Sequence, residues 1–166
     1  MEQLYVFGTG NAIVTRCYNT CFAIKNSDGE YFMVDTGGGN GILRILEDMN
    51  VDMKRIHHIF LTHEHTDHIL GIVWMIRVIA TRMKNGKYDG DLNIYCHEAL
   101  TETITTICRL TLQGKFFKMI GDRIHLIPVH DGDKRQILNY PVTFFDIHST
   151  KAMQYGFTMT LENGKQ

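Results

Sequence analysis

The spacing of apolar residues changes along the chain and predicts a mixture of strands and helices. The run LYVFGTG from Leu4 predicts a strand, and two apolar runs on either side of the turn NSDGE predict a β-hairpin over residues 20–39. The β-rich run IHHIFLT predicts another strand. The chain is therefore expected to open with antiparallel sheet.

Helical spacing follows the glycine-rich stretch GGGNG and also begins within the histidine-rich stretch HEHTDH. In ILRILEDMN, Ile42, Ile45, Leu46 and Met49 recur at intervals that predict a short amphipathic helix. The apolar spacing is again helical from Asp67 to about Met83. EALTETITTICRL predicts a third helix, although its threonines lower the helix propensity.

The remaining segments alternate between strands and turns. NGKYDGD and DGDK predict loops, and three runs predict strands: LNIYC, RIHLIPV and YPVTFFDIH. Strands therefore alternate with helices in places and pair as hairpins elsewhere. This pattern predicts an α/β fold (an α+β sandwich) with a mixed sheet and flanking helices.

The end of the chain carries a hairpin signal. TMTLE predicts a strand, and the following Asn-Gly is a strong signal for a turn and a returning strand, yet the sequence stops at Gln166. The missing strand is expected from another chain or from a longer protein. The alternative is that ENGKQ is a frayed tail.

Size and composition indicate one ordinary domain over residues 1–166, and the unanswered hairpin signal indicates that this domain is incomplete at its C-terminus. The net charge of −1 gives no general attraction to nucleic acid or anionic lipid. The N-terminus lacks the features of a secretory signal, and the apolar run from Ile69 is too short to span a bilayer. The chain is expected to be cytoplasmic, to bind no membrane and to keep its four cysteines as buried, inert thiols.

The segment FLTHEHTDHILG concentrates metal-binding side chains after a strand. His63 and His65 are two residues apart, so both imidazoles can face one side, while Asp67 and His68 begin the next helix at a small offset that suits a second metal. These ligands fit Zn²⁺, and also Mn or Fe. The alternative interpretation makes them surface residues, with Asp67 as a helix N-cap, but crowding four such groups without a metal is costly.

The six residues from His63 to His68 read HxHxDH, and this motif resembles that of the metallo-β-lactamase superfamily. FMVDTGGG, in which Asp35 ends a strand, is similar to that family's first motif. FFDIHST is similar to the strand end that carries the family's third metal-binding histidine, so His148 corresponds to that histidine. VFGTGNA and STKAMQYGFTM are most similar to the ribonuclease Z and small phosphodiesterase branch. The proline usual in that branch after the opening glycine motif is replaced by AIV.

The resemblance implies a fold and a ligand set. Family members are αββα sandwiches of two halves, in which the HxH histidines and the third histidine hold one zinc ion and the Asp and His of DH begin the second site. By that likeness His63, His65 and His148 form the first site, and Asp67 and His68 belong to the second. The second-half aspartate that bridges the metals and the final histidine have no counterpart here, so the chain resembles only the N-terminal part of the fold. It is expected to lack a C-terminal half or to self-associate.

Other acidic and imidazole side chains receive structural interpretations. Asp35 is expected to accept backbone N–H bonds from TGGG and to hold that loop near the metals. Five further histidines show no ligand spacing and are interpreted as strand-edge or surface residues: His57, His58, His97, His125 and His130.

The resulting functional hypothesis is a metal-dependent hydrolase, in which a metal-bound hydroxide attacks a small-molecule or nucleotide phosphodiester and Asp67 orients the nucleophile. A ribonuclease Z-like endonuclease acting on the 3′ end of transfer RNA is the alternative substrate hypothesis. A redox role like that of diiron relatives is disfavoured because those relatives typically carry an acid where His65 stands. The third alternative is a non-catalytic fragment, because the second site has two ligands only.

Overall fold

A computed structural model of the chain describes residues 1–166, which form nine strands and four α-helices. The strands are β1 (Gln3–Gly8), β2 (Cys21–Lys25), β3 (Tyr31–Val34), β4 (Ile56–Phe60), β5 (Leu92–Cys96), β6 (Ile124–Pro128), β7 (Lys134–Ile137), β8 (Tyr140–Asp146) and β9 (Tyr155–Met159). The helices are α1 (Gly41–Asp48), α2 (Thr66–Lys84), α3 (Glu98–Thr111) and α4 (Gly114–Phe117), with a 3₁₀ turn at Met53–Arg55.

Six strands form one sheet in chain order, from β1 to β6. The pairs β1–β2 and β2–β3 are antiparallel, whereas β3, β4, β5 and β6 run parallel. The change of direction follows from the connections, because a short turn joins β2 to β3 while α1, α2 and α3 each cross over between parallel strands. The carboxyl ends of β3, β4 and β5 therefore lie at one edge of the sheet.

The predicted opening hairpin is confirmed. Phe22 pairs with Val34 and Lys25 with Tyr31. The side chain of Asn26 closes the turn by accepting hydrogen bonds from the backbone N–H groups of Asp28 and Glu30.

A second, antiparallel sheet of β7, β8 and β9 packs on one face of the first. An aromatic core fills the space between the sheets, where Phe60 lies 5.0 Å from Phe144 and Phe32 lies 5.2 Å from Phe157, measured between ring centroids. The helices bury their apolar sides against the opposite face. The predicted mixed sheet with flanking helices is thus confirmed as a helix, sheet and sheet arrangement.

The small sheet covers the first sheet incompletely. Leu4 and Val6 of β1 are 65% and 47% exposed, and they pair with Ile24 and Phe22, which pack at the margin of the core between the sheets. Apolar area is therefore exposed on a sheet face at β1.

Three details differ from the sequence prediction. Strand β7 was not predicted, because Lys134, Arg135 and Gln136 are exposed at the sheet edge and show no apolar alternation. The single-turn helix α4 was also missed. Strand β9 ends at Met159, before Leu161 and Glu162, although the Asn-Gly turn forms and the Gly164 N–H donates to the Leu161 carbonyl at 2.9 Å.

None of the helices combines the length and apolar character needed to cross a lipid bilayer.

The cysteines divide into three buried thiols and one exposed thiol. Cys21, Cys96 and Cys108 are buried, whereas Cys17 is exposed, so the prediction of buried thiols is wrong for Cys17. All four are free. Burial raises the pKa of each of the three buried thiols to about 12, with the charge of Asp35 adding to the effect at Cys21.

We expect an aromatic disulfide reagent at pH 8 to modify Cys17 rapidly in the folded chain and the other three cysteines only after unfolding. A thiol with a pKa of about 12 is almost fully protonated at pH 8, and the thiolate is the reactive form. The measurement is the absorbance of the released thiolate with and without denaturant. Cys17→Ser should remove the rapid phase and Cys108→Ser should leave it intact; rapid reaction of two or more thiols would contradict the prediction.

Candidate metal centre

The segment from Leu61 to His65 leaves the carboxyl end of β4 and is held by both sheets. The Leu61 N–H donates to the Tyr95 carbonyl at 2.9 Å, which ties the segment to β5. The Tyr155 N–H of β9 donates to the Thr62 carbonyl at 3.0 Å. The histidine-rich segment is thus anchored by backbone bonds on two sides.

His63 and His65 lie side by side at the start of this site. His63 Nε2 is 3.1 Å from His65 Nδ1, and the ring centroids are 4.6 Å apart. His63 is buried, whereas His65 is exposed and has its ring against that of His63. The pair therefore presents nitrogen donors at the boundary between the core and solvent.

Helix α2 brings Asp67 and His68 to the same place. His65 is the N-cap residue of α2 and makes no side-chain cap bond, so Asp67 and His68 lie in the first turn. The ring centroids of His63 and His68 are 4.1 Å apart, and His68 Nε2 lies 3.5 Å from Asp67 Oδ2. Four of the five predicted ligands are therefore grouped, with the helical pair offset from the histidine pair.

A contact that the sequence did not reveal positions Asp67. The backbone N–H of Ala12, from the loop between β1 and β2, donates to Asp67 Oδ2 at 2.8 Å. Burial acts to raise the pKa of Asp67, but this bond, the Asp67 backbone and the charges of His68 and His63 lower the pKa overall. The carboxylate is ionised and oriented at neutral pH.

Asp35 lies beneath the histidines and organises them. Its Oδ1 accepts from the Thr62 backbone N–H at 2.9 Å, its Oδ2 accepts from the Thr62 hydroxyl at 2.9 Å, and His68 Nδ1 lies 2.7 Å from Oδ2. These partners differ from the TGGG amides expected from the sequence. The carboxylate points across to β4 and α2 because Asp35 adopts a left-handed backbone with φ of 56°.

The Asp35 network determines which histidine nitrogens are free. The Thr62 hydroxyl has one proton, which it donates to the Asp35 carboxylate, so its oxygen accepts from His63 Nδ1 at 2.8 Å. His68 Nδ1 likewise donates to Asp35. Both rings therefore direct Nε2 away from this network, that of His63 toward His65 and that of His68 toward Asp67.

The electrostatics of the two rings differ. Burial, together with the neighbouring His68, lowers the pKa of His63 and favours the neutral imidazole that a metal requires. Burial also acts to lower the pKa of His68, but the hydrogen bond and charge of Asp35 and the charge of Asp67 outweigh it, so this pKa is raised. The two opposite pKa shifts therefore result from burial and from the neighbouring charged groups at this edge of the sheet.

The helix and the loop after Asp35 are joined very closely. The Thr36 N–H donates to the His68 carbonyl and the Gly71 N–H donates to the Gly37 carbonyl, each at 2.9 Å. A Cβ atom at Gly71 would lie 2.0 Å from the Thr36 carbonyl oxygen, so glycine is required there. This contact fixes the start of α2 against Asp35.

His148 lies apart from the other predicted ligands. It follows β8 with φ of 54°, its side chain is 83% exposed, and its Nδ1 is 3.5 Å from Asp146 Oδ2. No three His, Cys, Asp or Glu side chains are arranged around a single metal position. The structure brings His63, His65, Asp67 and His68 together and does not bring His148 to them, so the ligand role of His148 stays a prediction.

The donor set nevertheless fits a divalent metal. Neutral imidazoles whose Nδ1 groups are bonded to an oxygen acceptor are the usual arrangement of histidine ligands, since that bond fixes the tautomer and the orientation of the ring. In both His63 and His68, Nδ1 is bonded to an oxygen acceptor in this way. Zn²⁺ accepts such nitrogens together with carboxylate oxygen.

Three of the other histidines differ from their interpretation as edge or surface residues. His57 and His58 are half-buried in β4, a central strand, and burial together with the charge of His57 lowers the pKa of His58 to about 4. His97 is buried directly after β5. The sequence contained a signal for the position of His97. LNIYC and IHHIF are successive parallel strands, so the residues that follow them lie at the same edge of the sheet.

Comparison with known proteins places this architecture in a family. A family model described as Anti-Pycsar protein Apyc1 matches residues 2–165. The chain belongs to the Apyc1 family. Among curated relatives, this Apyc1-family chain is 30% identical over 143 residues to a ribonuclease Z of Methanococcus aeolicus, covering 84% of the chain and 42% of that protein. It is 30% identical over 159 residues to a ribonuclease Z of Methanococcus maripaludis strain C5, covering 93% and 47%.

Solved structures give the fold of this Apyc1-family chain. The metallo-β-lactamase fold protein YhfI of Bacillus subtilis matches with a TM-score of 0.73 at 20% identity, over 96% of this chain and 58% of that one. The short form of human tRNase Z matches with a TM-score of 0.73 at 19% identity, over 98% and 65%. The predicted metallo-β-lactamase fold and ribonuclease Z-like relatives are confirmed. The chain spans less than half the length of the two ribonuclease Z relatives.

Proposed function

We propose that this chain is the metal-binding part of a hydrolase that cleaves phosphodiesters. The observation that supports the proposal is the Asp35 network, which engages the Nδ1 atoms of His63 and His68 and directs their Nε2 atoms toward other predicted ligands. His63, His65 and His148 would hold one zinc ion, and Asp67 and His68 would contribute to a second. Mn or Fe would suit the same donors.

The residues of this chain have separate tasks in the proposed reaction. A bound divalent metal supplies a water of lowered pKa and neutralises charge on phosphate oxygens. Asp67, ionised and held by the Ala12 amide, orients the attacking water by accepting its proton in a hydrogen bond. Asp35 and Thr62 hold the two imidazoles by Nδ1 and so orient Nε2 of each ring toward the proposed metal positions.

We expect His63→Ala in the full protein to weaken zinc binding at least about 100-fold, because it removes a ligand. Hydrolysis of bis(p-nitrophenyl) phosphate should fall to the background rate. The measurements are metal content after dialysis and release of p-nitrophenolate.

His125→Phe is the matched control, since His125 pairs with Asp91 at 2.9 Å and contacts none of the predicted ligands. It should keep both zinc and turnover. Wild-type protein without bound metal, or unchanged turnover in His63→Ala, would refute the proposed function.

A ribonuclease Z-like activity on transfer RNA is the second candidate, favoured by the relatives named ribonuclease Z. The chain offers little concentrated positive charge for RNA. Arg123 is bonded to the Tyr88 carbonyl and lies 3.5 Å from Asp91, and Lys115 lies over the Phe116 ring. Cleavage of a precursor transfer RNA, with a rate that falls as salt rises, would favour this candidate over a small phosphodiester.

A non-catalytic role is the remaining alternative, because the grouped residues hold only two ligands of the second site. The exposed Leu4 and Val6 agree with a missing partner layer, which we propose to be the rest of a longer chain or a second copy. Normal folding without turnover under any of Zn²⁺, Mn²⁺ or Fe²⁺ would support this alternative.

A cytoplasmic location stays a prediction.

A further inference from the structure

His97 is a buried imidazole whose two nitrogens have no hydrogen-bond partner. It is 3% exposed, and Nδ1 and Nε2 are both buried and unpaired. Buried polar side chains are nearly always satisfied, and an exception calls for an explanation. His97 is the N-cap residue of α3, yet its side chain makes no cap bond, so capping does not explain it.

The place of His97 in the sheet brings it to the candidate metal centre. Strand β5 runs parallel to β4, so the residue after β5 lies beside the segment that follows β4. Glu64, between His63 and His65 in the sequence, has its Oε2 at 3.5 Å from His97 Nε2. The imidazole therefore faces the only acidic side chain within the HxH segment.

The surroundings of His97 place a neutral ring beside a carboxylate. Its neighbours are the Glu64 carboxylate, the charge of Asp146 and the ring of Tyr155, whose centroid is 6.0 Å away. Burial lowers the pKa of His97 despite the opposing effect of Glu64. The N-terminus of α3 adds a partial positive charge that disfavours imidazolium and attracts the Glu64 carboxylate.

Glu64 has little other reason to hold one position. Its side chain is 43% exposed, and it belongs to a segment with no regular secondary structure between β4 and α2. The segment is anchored by backbone bonds at Leu61 and Thr62 on one side and at the His65 carbonyl on the other, but no backbone bond holds His63 or Glu64 between them. A contact at Glu64 therefore fixes the chain at a point between His63 and His65.

We infer that His97 is a positioning residue of the metal centre: through Glu64 it fixes the backbone between His63 and His65 and so sets the affinity for metal. This inference rests on the proposed function, because it requires those histidines to bind metal. Orienting groups behind metal ligands typically change metal affinity by about 10- to 100-fold when removed. His97 thereby links α3 to the ligand segment.

His97→Phe separates positioning from packing. Phenylalanine keeps a ring against Tyr155 but removes both unpaired nitrogens, and replacing buried polar atoms by apolar atoms of similar shape is often neutral or stabilising. We expect the full protein with His97→Phe to unfold at the same or a higher denaturant concentration while its zinc dissociation constant rises about tenfold. A purely structural histidine would not change the two properties in opposite directions.

Glu64→Gln completes the experiment. We expect it to weaken zinc binding to a similar extent, and the double variant His97→Phe/Glu64→Gln to bind zinc no worse than the weaker single variant, because both substitutions break one contact. Zinc affinity is measured by competition with a chromophoric chelator and stability by urea unfolding of the metal-free protein. His125→Phe, which removes another histidine–carboxylate pair, should change neither.

The outcomes distinguish this inference from the proposed function. Zinc binding by wild type that is unchanged in His97→Phe, or fully additive losses in the double variant, would overturn the positioning role and leave the metal centre intact. Weakening that merely follows a loss of folding stability would also overturn the role. Absence of zinc binding by the wild type would refute the proposed function itself, and the positioning role with it.

Discussion

Asp35→Ala is expected to lower the free energy of unfolding by about 3–5 kcal/mol, as removal of one partner of a buried charged pair typically does. The substitution leaves His68 Nδ1, the Thr62 N–H and the Thr62 hydroxyl without their acceptor in a partly buried place. It also puts alanine into a left-handed backbone conformation that costs about 1–2 kcal/mol for residues other than glycine, asparagine and aspartate. Metal affinity should fall as well, since His63 and His68 lose their fixed tautomers.

The experiment compares three variants by urea unfolding and zinc competition. Asp35→Asn tolerates the same backbone and keeps one acceptor oxygen, so its loss of stability should lie between those of wild type and Asp35→Ala. Asp48→Ala is the control, because the Asp48 carboxylate is an exposed partner of Arg44, and surface pairs contribute about 0–1 kcal/mol. An Asp35→Ala protein within about 1 kcal/mol of wild type would show that the network does not hold the site together.

Gly71→Ala is expected to destabilise the protein by about 3 kcal/mol or more, in the range of severe overpacking. In an ordinary helix the same change stabilises by about 1 kcal/mol, so the predicted effect has the opposite sign. The added Cβ would lie 2.0 Å from the Thr36 carbonyl oxygen, and backbone on both sides must move to make room. The first turn of α2 would then shift relative to Asp35, which should weaken zinc binding too.

Gly114→Ala is the matched control for this prediction. Gly114 is also helical, but a Cβ there meets no atom within 4 Å. It should be neutral or slightly stabilising in urea unfolding. Equal effects at the two positions would show that the close approach of α2 to residue 36 does not limit stability.

The sequence predicted those parts of the fold and the site that depend on local spacing. The hairpin of β2 and β3, the helix α2 and the grouping of the HxHxDH residues all follow from residues close in the chain. Strand β7 was missed because its exposed Lys134, Arg135 and Gln136 form an edge strand without a buried face. Helix α4 has one turn only, which is too short for an apolar period to appear.

The contacts that orient the site depend on strand order, so the spacing of residues along the chain could not predict them. Asp35 and Thr62 are 27 residues apart and meet because β3 pairs with β4 in parallel. His97 reaches Glu64 because β5 is the next parallel strand. The position of His148 depends on the separate sheet of β8 and β9, whose packing on the first sheet cannot be obtained from local periodicity.

The bond from the loop between β1 and β2 to Asp67 has an evolutionary consequence. The donor is the main-chain amide of Ala12, and the Ala12 side chain lies at the surface. The left-handed backbone at Ala12, with φ of 38°, disfavours proline and β-branched residues there, but other side chains of this loop can diverge among relatives while the amide keeps its bond to the carboxylate. The surface of this loop can thus change by mutation while Asp67 keeps its orientation.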